Sequence, residues 1–129
     1  MLMERDFTAL GFNTTEEDPH FINPRCYGED VCNALRSLIA GRTPDLTVSA
    51  PIQEDYGWGF WIQTDAERYW VAVGWVANES RWRLLADPDR GLNFWKRLFR
   101  KPHPSERERI RDALTSALSD LPGVALLAD

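Results

Sequence analysis

Tryptophan is the residue type with the greatest capacity for recognition chemistry in this chain. Five of the six tryptophans fall between Gly57 and Ala86, interspersed with Gly, Val and Ala. Indole is costly to leave in water and is enriched at the centres of protein interfaces. We therefore expect this stretch to form a core sheet, an interaction surface, or both. The five residues are Trp58, Trp61, Trp70, Trp75 and Trp82.

Cysteine and histidine could bind a metal or supply a nucleophile, and the chain has two of each. The spacing of Cys26 and Cys32 is not that of a zinc knuckle, and His20 and His103 are far apart in the sequence. A thiolate beside an imidazole would be reactive, but no local signature supports such a pair. The sequence thus predicts free thiols, no metal, no cofactor and no catalytic residue, and enzyme activity is disfavoured without being excluded.

Two further patterns in the sequence could in principle support catalysis or cofactor binding. Glu54 and Asp55 could do acid or base work if one were desolvated against the tryptophans, but adjacent strand residues point to opposite faces. Gly57 and Gly59 form a Gly-x-Gly that opens no helix and lacks a third glycine, so it predicts no dinucleotide site. These glycines are more typical of a place where a bulky side chain approaches a sheet.

The elements that would hold these residues indicate an α+β fold. The 129 residues, of which 43% are hydrophobic and 27% charged, predict a single domain over 1–129. We expect a mostly antiparallel sheet of about four to six strands, with two main helices packed on one face. Residues 1–27 read as a partly irregular arm with a short strand at Phe7–Phe12.

Helical periodicity predicts the two main helices. The first spans Glu29–Ala40, with acidic residues at its front and Gly41 just past its end. The second spans Ser105–Leu121, where Ser105 and Glu108 form a capping box. A short basic helix at Leu92–Phe99 ends at the prolines that follow.

Segments with the pattern of strands lie between these helices in the sequence and after the second one. A segment with a period of two, Leu46–Gln53, contains Pro51, which indicates an edge or an early end. A meander of hairpins follows, and the apolar C-terminal segment adds a last strand to the sheet. The predicted strands of the meander and the last strand are Gly57–Gln63, Tyr69–Val76, Arg81–Ala86 and Val124–Leu127.

Register can be predicted from the bulky residues. If Thr64 pairs with Tyr69, Trp58 lies opposite Trp75 and all large groups share one face. Trp82 and Leu84 then join that face beside Trp75 and Val73. The other face carries a floor of small residues, Gly57, Gly59, Ala72 and Gly74, surrounded by Trp61, Trp70, Arg81 and Arg83.

The charge pattern directs the functional prediction. The net charge of −5 divides into −8 over residues 1–80 and +3 over residues 81–129. An acidic protein is a poor nonspecific nucleic-acid binder and is steered toward basic partners. We therefore predict a non-catalytic protein-binding module of the inhibitor, immunity, chaperone or adaptor type. The predicted partner-binding residues are Trp61, Trp70, Arg81, Arg83, Glu54 and Asp55.

Several alternatives stay open at this point. Trp61 and Trp70 could wall a small-molecule pocket over the glycine floor, as in a ligand-binding domain or minor enzyme. The floor could instead be covered by the chain itself or by a second copy in a homodimer. The absence of a signal peptide pattern and of a long apolar run predicts a cytoplasmic protein without membrane contact. A basic cluster keeps weak nucleic-acid contact open: Lys96, Arg97, Arg100, Lys101, Arg107, Arg109 and Arg111.

Overall fold

In the part of the chain that the structure describes, seven strands form one curled antiparallel sheet, and two helices pack on one of its faces. The computed structural model describes residues 1–23, 26–89 and 104–127. This architecture confirms the predicted α+β fold with a mostly antiparallel sheet. In chain order the elements are β1 (Met3–Thr8), α1 (Glu29–Arg42), β2 (Thr47–Val48), β3 (Ile52–Glu54), β4 (Gly57–Gln63), β5 (Arg68–Val76), β6 (Arg81–Pro88), α2 (Pro104–Ser119) and β7 (Ala125–Leu126).

The sheet is built around the β4–β5–β6 meander. The strand order is β2-β4-β5-β6-β1-β7, and β3 also pairs with β4. The first strand therefore lies between β6 and the last strand, and residues distant in sequence become neighbours. Phe7 lies opposite Trp82 on one side and opposite Leu126 on the other.

Alternation along the strands separates a buried face from an outer face. In β6 every second residue is buried, beginning with Trp82. Helices α1 and α2 cover this buried face with an apolar stripe each, and each large side chain removed from water contributes roughly 1.5–3 kcal/mol. Fully or almost fully buried on the sheet side are Phe7, Trp58, Phe60, Ile62, Tyr69, Val71, Val73, Trp82 and Leu84; on the helix side, Leu35, Ile39, Ile110, Leu114 and Leu118.

The predicted register of the first hairpin is wrong by two residues. Trp58 lies opposite Val73 rather than Trp75. The turn comprises residues 64–67, because the Thr64 hydroxyl accepts the backbone N–H of Glu67 at 3.1 Å and the Thr64 N–H donates to the Glu67 carbonyl. An even slip keeps every side chain on its face, so the predicted division into a bulky and a small face survives. Trp75 does lie opposite Trp82, as predicted.

The N-terminal strand is the largest departure from the sequence prediction. The expected strand at Phe7–Phe12 is wrong, since β1 is Met3–Thr8 and pairs with β6 from Met3 to Phe7. Residues 9–23 and 26–28 form no helix or strand. They are nevertheless anchored, because the Trp58 indole N–H donates to the Cys26 carbonyl at 2.8 Å and the Asn13 N–H donates to Asp30 at 2.7 Å.

Other element ends shift for local reasons. The predicted strand Leu46–Gln53 is two short strands, β2 and β3, on either side of Ala50 and Pro51, where proline supplies no N–H to the ladder. Helix α1 runs through Gly41 to Arg42. Helix α2 begins at Pro104, a residue well suited to a first turn, so Ser105 lies inside the helix instead of preceding it. The predicted helix Leu92–Phe99 lies outside the described residues.

The last strand of the sheet is present as predicted, within Val124–Leu127, and it pairs with β1. Neither of the two described helices combines the length and the apolar character required to cross a bilayer.

Candidate binding face

The outer face of the sheet, which we define as the side opposite α1 and α2, carries the predicted floor of small residues. Gly59 lies opposite Ala72, and Trp61 lies opposite Trp70 on the same side of β4 and β5. β6 and β1 continue this face with a charged set of side chains. They are Arg81, Arg83, Asp87, Glu4 and Asp6.

Trp61 and Trp70 form an aromatic pair on this face. Their ring centroids are 4.9 Å apart and the ring planes meet at 56°. The Trp70 ring lies directly over Gly59, where a Cβ would also come within 2.7 Å of the Val71 carbonyl oxygen. The Trp70 indole N–H donates to the Tyr56 hydroxyl at 3.0 Å. The Trp70 ring thus packs directly on the glycine floor.

The paired rings border an open cleft with a volume of about 440 Å³. Three carboxylates share the lining, from Glu54, Asp87 and Asp89, together with Ile52 and Pro88. The two aspartates were not predicted from the sequence, because β6 was expected to end at Ala86 whereas the strand continues to Pro88. The cleft is therefore aromatic in its walls and acidic at its rim.

One guanidinium group already occupies the edge of this cleft. The Arg68 Cζ atom lies 4.2 Å from the centre of the Trp61 ring, within the range of a cation–π contact. The same side chain donates to the Asp89 carboxylate at 2.7 Å. Asp87 Oδ1 is 3.5 Å from the amino group of Met1. Over residues 1–23, 26–89 and 104–127 the Glu54 carboxylate has neither a hydrogen bond nor an ion pair.

The predicted arginines lie at the other end of the outer face. Arg83 forms a two-point contact with Asp6, at 2.8 and 3.0 Å, and Arg81 adds a third bond at 3.3 Å. Hydrogen bonds and charge attraction from Arg83 lower the pKa of Asp6, against the opposing effect of burial. Asp6 in turn raises the pKa of Arg83. Both arginines also contact Glu79.

The six predicted partner-binding residues therefore fall into separate groups. Trp61, Trp70 and Glu54 line one cleft. Arg81 and Arg83 are held by intramolecular carboxylates. Asp55 is exposed in the turn between β3 and β4, with its carboxylate 3.4 Å from the Asn23 side-chain amide.

Comparison with protein-family models, with curated proteins and with solved structures gives no significant match. The site has to be interpreted from its own geometry.

The basic cluster is partly neutralised by the chain itself. Arg107 binds the buried Glu67 carboxylate through two nitrogens, at 2.6 and 3.2 Å, which raises the pKa of Arg107. Arg109 binds Asp45. Lys96, Arg97, Arg100 and Lys101 lie outside the described residues.

Both cysteines are free and buried. Burial raises the pKa of each thiol, most strongly that of Cys32, and the Cys26 thiol donates to the Asp55 carbonyl at 3.1 Å. Neither residue is thereby activated as a nucleophile.

A histidine and two carboxylates lie together beside the start of α1. The side chains of Asp18, His20 and Glu29 bring potential ligand atoms within 4.8 Å of one another. His20 Nε2 already contacts both oxygens of Glu29, at 2.7 and 2.8 Å. His103, the second histidine of the chain, lies outside the described residues.

Proposed function

We propose that this chain is a non-catalytic protein-binding module whose outer-face cleft receives an arginine side chain of a basic partner protein. The observation that carries the proposal is the Trp61–Trp70 pair, which lies beside three carboxylates on the face that neither described helix covers. Paired aromatic rings within a concave site are typical centres of protein interfaces. The predicted cytoplasmic location remains part of this proposal.

The intramolecular Arg68 contact supports arginine as the incoming residue. Its guanidinium stacks on Trp61 and is fixed by Asp89, which is the combination of planar stacking and carboxylate pairing that suits arginine better than lysine. Trp70 and Glu54 line the same cleft and offer a second aromatic ring and a second carboxylate. Glu54 lacks a partner among the described residues, so its carboxylate is available to pair with a second guanidinium.

The charge of the first eighty residues supports a basic partner as well. That part of the chain has a net charge of −8, and such a surface accelerates the encounter with a positively charged protein. Arg81 and Arg83, which the sequence predicted as contact residues, are engaged by Asp6 and do not belong to the proposed interface.

The proposal is tested by affinity capture from the native lysate with matched variants. A stoichiometric partner should be recovered with the wild type and lost with Trp61→Ala/Trp70→Ala. Glu54→Gln should weaken capture by about tenfold, the usual value of a charge-assisted hydrogen bond. Glu4→Gln removes an exposed carboxylate from the same face but outside this cleft, and should leave capture unchanged.

Melting temperature separates loss of binding from loss of folding. Both tryptophans are only partly buried, so their replacement should lower the melting temperature far less than replacement of buried Trp82. A partner retained by the double tryptophan variant would refute the cleft as the interface. Recovery of the chain alone, with dimerisation that depends on Trp61 and Trp70, would assign the face to a homodimer instead.

A small cationic ligand is the second candidate, favoured by the size of the cleft. A volume of about 440 Å³ falls in the range of small-molecule sites. Native mass spectrometry of the purified protein should then show a retained mass that disappears in Trp61→Ala/Trp70→Ala. A ligand-free spectrum together with a captured protein would favour the protein-binding function.

A further inference from the structure

A second cavity lies on the other side of the sheet, between β1, β7 and α2. It has a volume of about 350 Å³. Leu2, Met3, Leu118 and Leu126 supply apolar wall, while Arg5 and Arg111 supply the positive charge. The proposed protein-binding function uses neither this cavity nor these arginines.

Arg5 is unusual because it projects toward the helices from a buried strand face. It lies opposite Leu84, and its neighbours on the same side of β1 lie opposite Ala86 and Trp82, all three of which are buried. The Arg5 Nε atom is buried and has no hydrogen-bond partner among the residues that the structure describes. The guanidinium also takes part in no ion pair there. A half-buried charge without a partner is costly to keep in a fold.

Arg111 brings a second guanidinium to the mouth of the same cavity. Its Nε donates to the Leu2 carbonyl oxygen at 3.2 Å, which holds the side chain across the gap between α2 and β1. Thr115 and Leu118 follow at intervals of four and three residues on the same stripe of the helix. The helix thus presents a cation, a hydroxyl and an apolar group in succession.

The sign of the cavity is positive. Among the described residues its only acidic lining residue is Glu4, which is exposed and lies opposite Leu85 on the outer side of β1. Two guanidinium groups therefore face a space in which no carboxylate of the described residues neutralises them. Planar guanidinium groups bind carboxylate and phosphate oxygens through paired hydrogen bonds.

We propose that this cavity binds a small organic anion, with its oxyanion group on Arg5 and Arg111 and its apolar group against Leu2, Leu118 and Leu126. The volume has room for roughly a dozen non-hydrogen atoms at the space that a water molecule occupies in the liquid. The ligand is thus a compact amphipathic anion, headed by a carboxylate or a phosphate. Its binding would satisfy the Arg5 charge that the fold leaves without a partner.

The test titrates the full chain with four probes by isothermal calorimetry. Octanoate and hexyl phosphate each combine an oxyanion with an apolar chain, and the tighter of the two identifies the head group. Octanol lacks the charge and acetate lacks the chain, so both should bind at least about tenfold more weakly than the better amphipathic anion. Absence of measurable binding by both amphipathic anions would overturn the proposal.

Variants decide whether the cavity is the binding place. Arg5→Met and Arg111→Met should each weaken binding by at least about tenfold, since each removes one charge-assisted contact. Arg36→Met removes one positive charge from α1, outside the cavity, and should leave binding unchanged. An equal loss with Arg36→Met would reveal nonspecific charge attraction and refute the site.

Thermal unfolding without a ligand shows whether a variant that loses binding still folds. Arg5→Met replaces an unpaired, half-buried guanidinium with a shorter, unbranched apolar side chain, so the melting temperature should stay the same or rise. Octanoate or hexyl phosphate should raise the melting temperature of the wild type but not that of Arg5→Met. A large loss of stability in Arg5→Met would show that the guanidinium has a structural partner, contrary to the proposal.

Discussion

Asp6 is the carboxylate on which two guanidinium groups converge. Its side chain is only 15% exposed, and Arg83 and Arg81 both donate to it. The contact joins β1 to β6 across the outer face, so it fixes the N-terminal strand to the meander. A carboxylate with this many charge-assisted bonds favours its ionised form in the folded state.

Replacement of Asp6 by Asn should destabilise the protein in a pH-dependent way. The pKa of Asp6 is lowered on folding, so its contribution is present above the unfolded pKa of about 3.9 and is lost as the pH falls through the lower folded value. At pH 7 we expect Asp6→Asn to lower the free energy of unfolding by about 1.5–3 kcal/mol. Urea unfolding should show the wild type and the variant converging below a pH of about 4.

Asp45 is the matched control for this prediction. Its pKa is also lowered by an arginine, Arg109, but the pair is exposed to solvent. Water screens such a pair, so Asp45→Asn should barely change the urea midpoint. An equal effect of the two substitutions would contradict the role assigned to Asp6.

Only part of the candidate site could be predicted from the sequence. Strand alternation was enough to place Trp61 and Trp70 on one face, because that inference needs only local periodicity. It could not predict that Arg81 and Arg83 bind Asp6, since that contact depends on a strand more than seventy residues away. Whether a charged side chain is buried depends on its partners in the tertiary structure, and a local sequence pattern does not reveal those partners.

At the scale of elements, the close approach of β4 and the Trp70 ring is the most demanding packing in the candidate site. A Cβ at Gly59 would overlap the Trp70 ring and lie 2.7 Å from the Val71 carbonyl oxygen. Gly59→Ala should therefore displace the ring and destabilise the fold by about 1–3 kcal/mol. Urea unfolding measures the loss, and the Trp70 indole N–H signal in an NMR spectrum should shift.

Gly41 gives the opposite expectation from the same substitution. It lies in the last turn of α1, and a Cβ there would meet nothing within 4 Å. Gly41→Ala should stabilise the protein by about 0.4–1 kcal/mol, because alanine restricts the unfolded chain and favours the helix. If Gly59→Ala were as well tolerated as Gly41→Ala, the position of Trp70 over the floor would be refuted.

The elements themselves were predictable where one period dominates. The helix at Glu29 and the strands of the meander follow clear periodicities, and their faces were assigned correctly. The turn after β4 was misplaced because Thr64 and Glu67 close it through side-chain and backbone bonds that a hydrophobic pattern does not report. The strand Met3–Thr8 was missed because Glu4, Arg5 and Asp6 give it a polar composition.

In the whole molecule, the sheet separates two surfaces of different character. The outer face presents the aromatic and acidic cleft to solvent, whereas the opposite side holds the helices and the positively lined cavity beside α2. The two candidate sites therefore differ in charge and lie on different sides of the sheet. Each can be altered without touching the residues of the other.

The position of β1 between β6 and β7 has a consequence for how the chain acquires its shape. Phe7 pairs with Trp82 on one side and with Leu126 on the other, so the sheet is completed by contacts between residues that are far apart in the sequence. Closing such long loops costs entropy before any contact is gained, so we expect this fold to form more slowly than a helical bundle of similar size. β1 is synthesised before β6 and β7, so it cannot pair until both of these strands have left the ribosome. Until then Phe7 stays exposed to solvent on an unpaired strand, and transiently exposed groups of this kind favour aggregation.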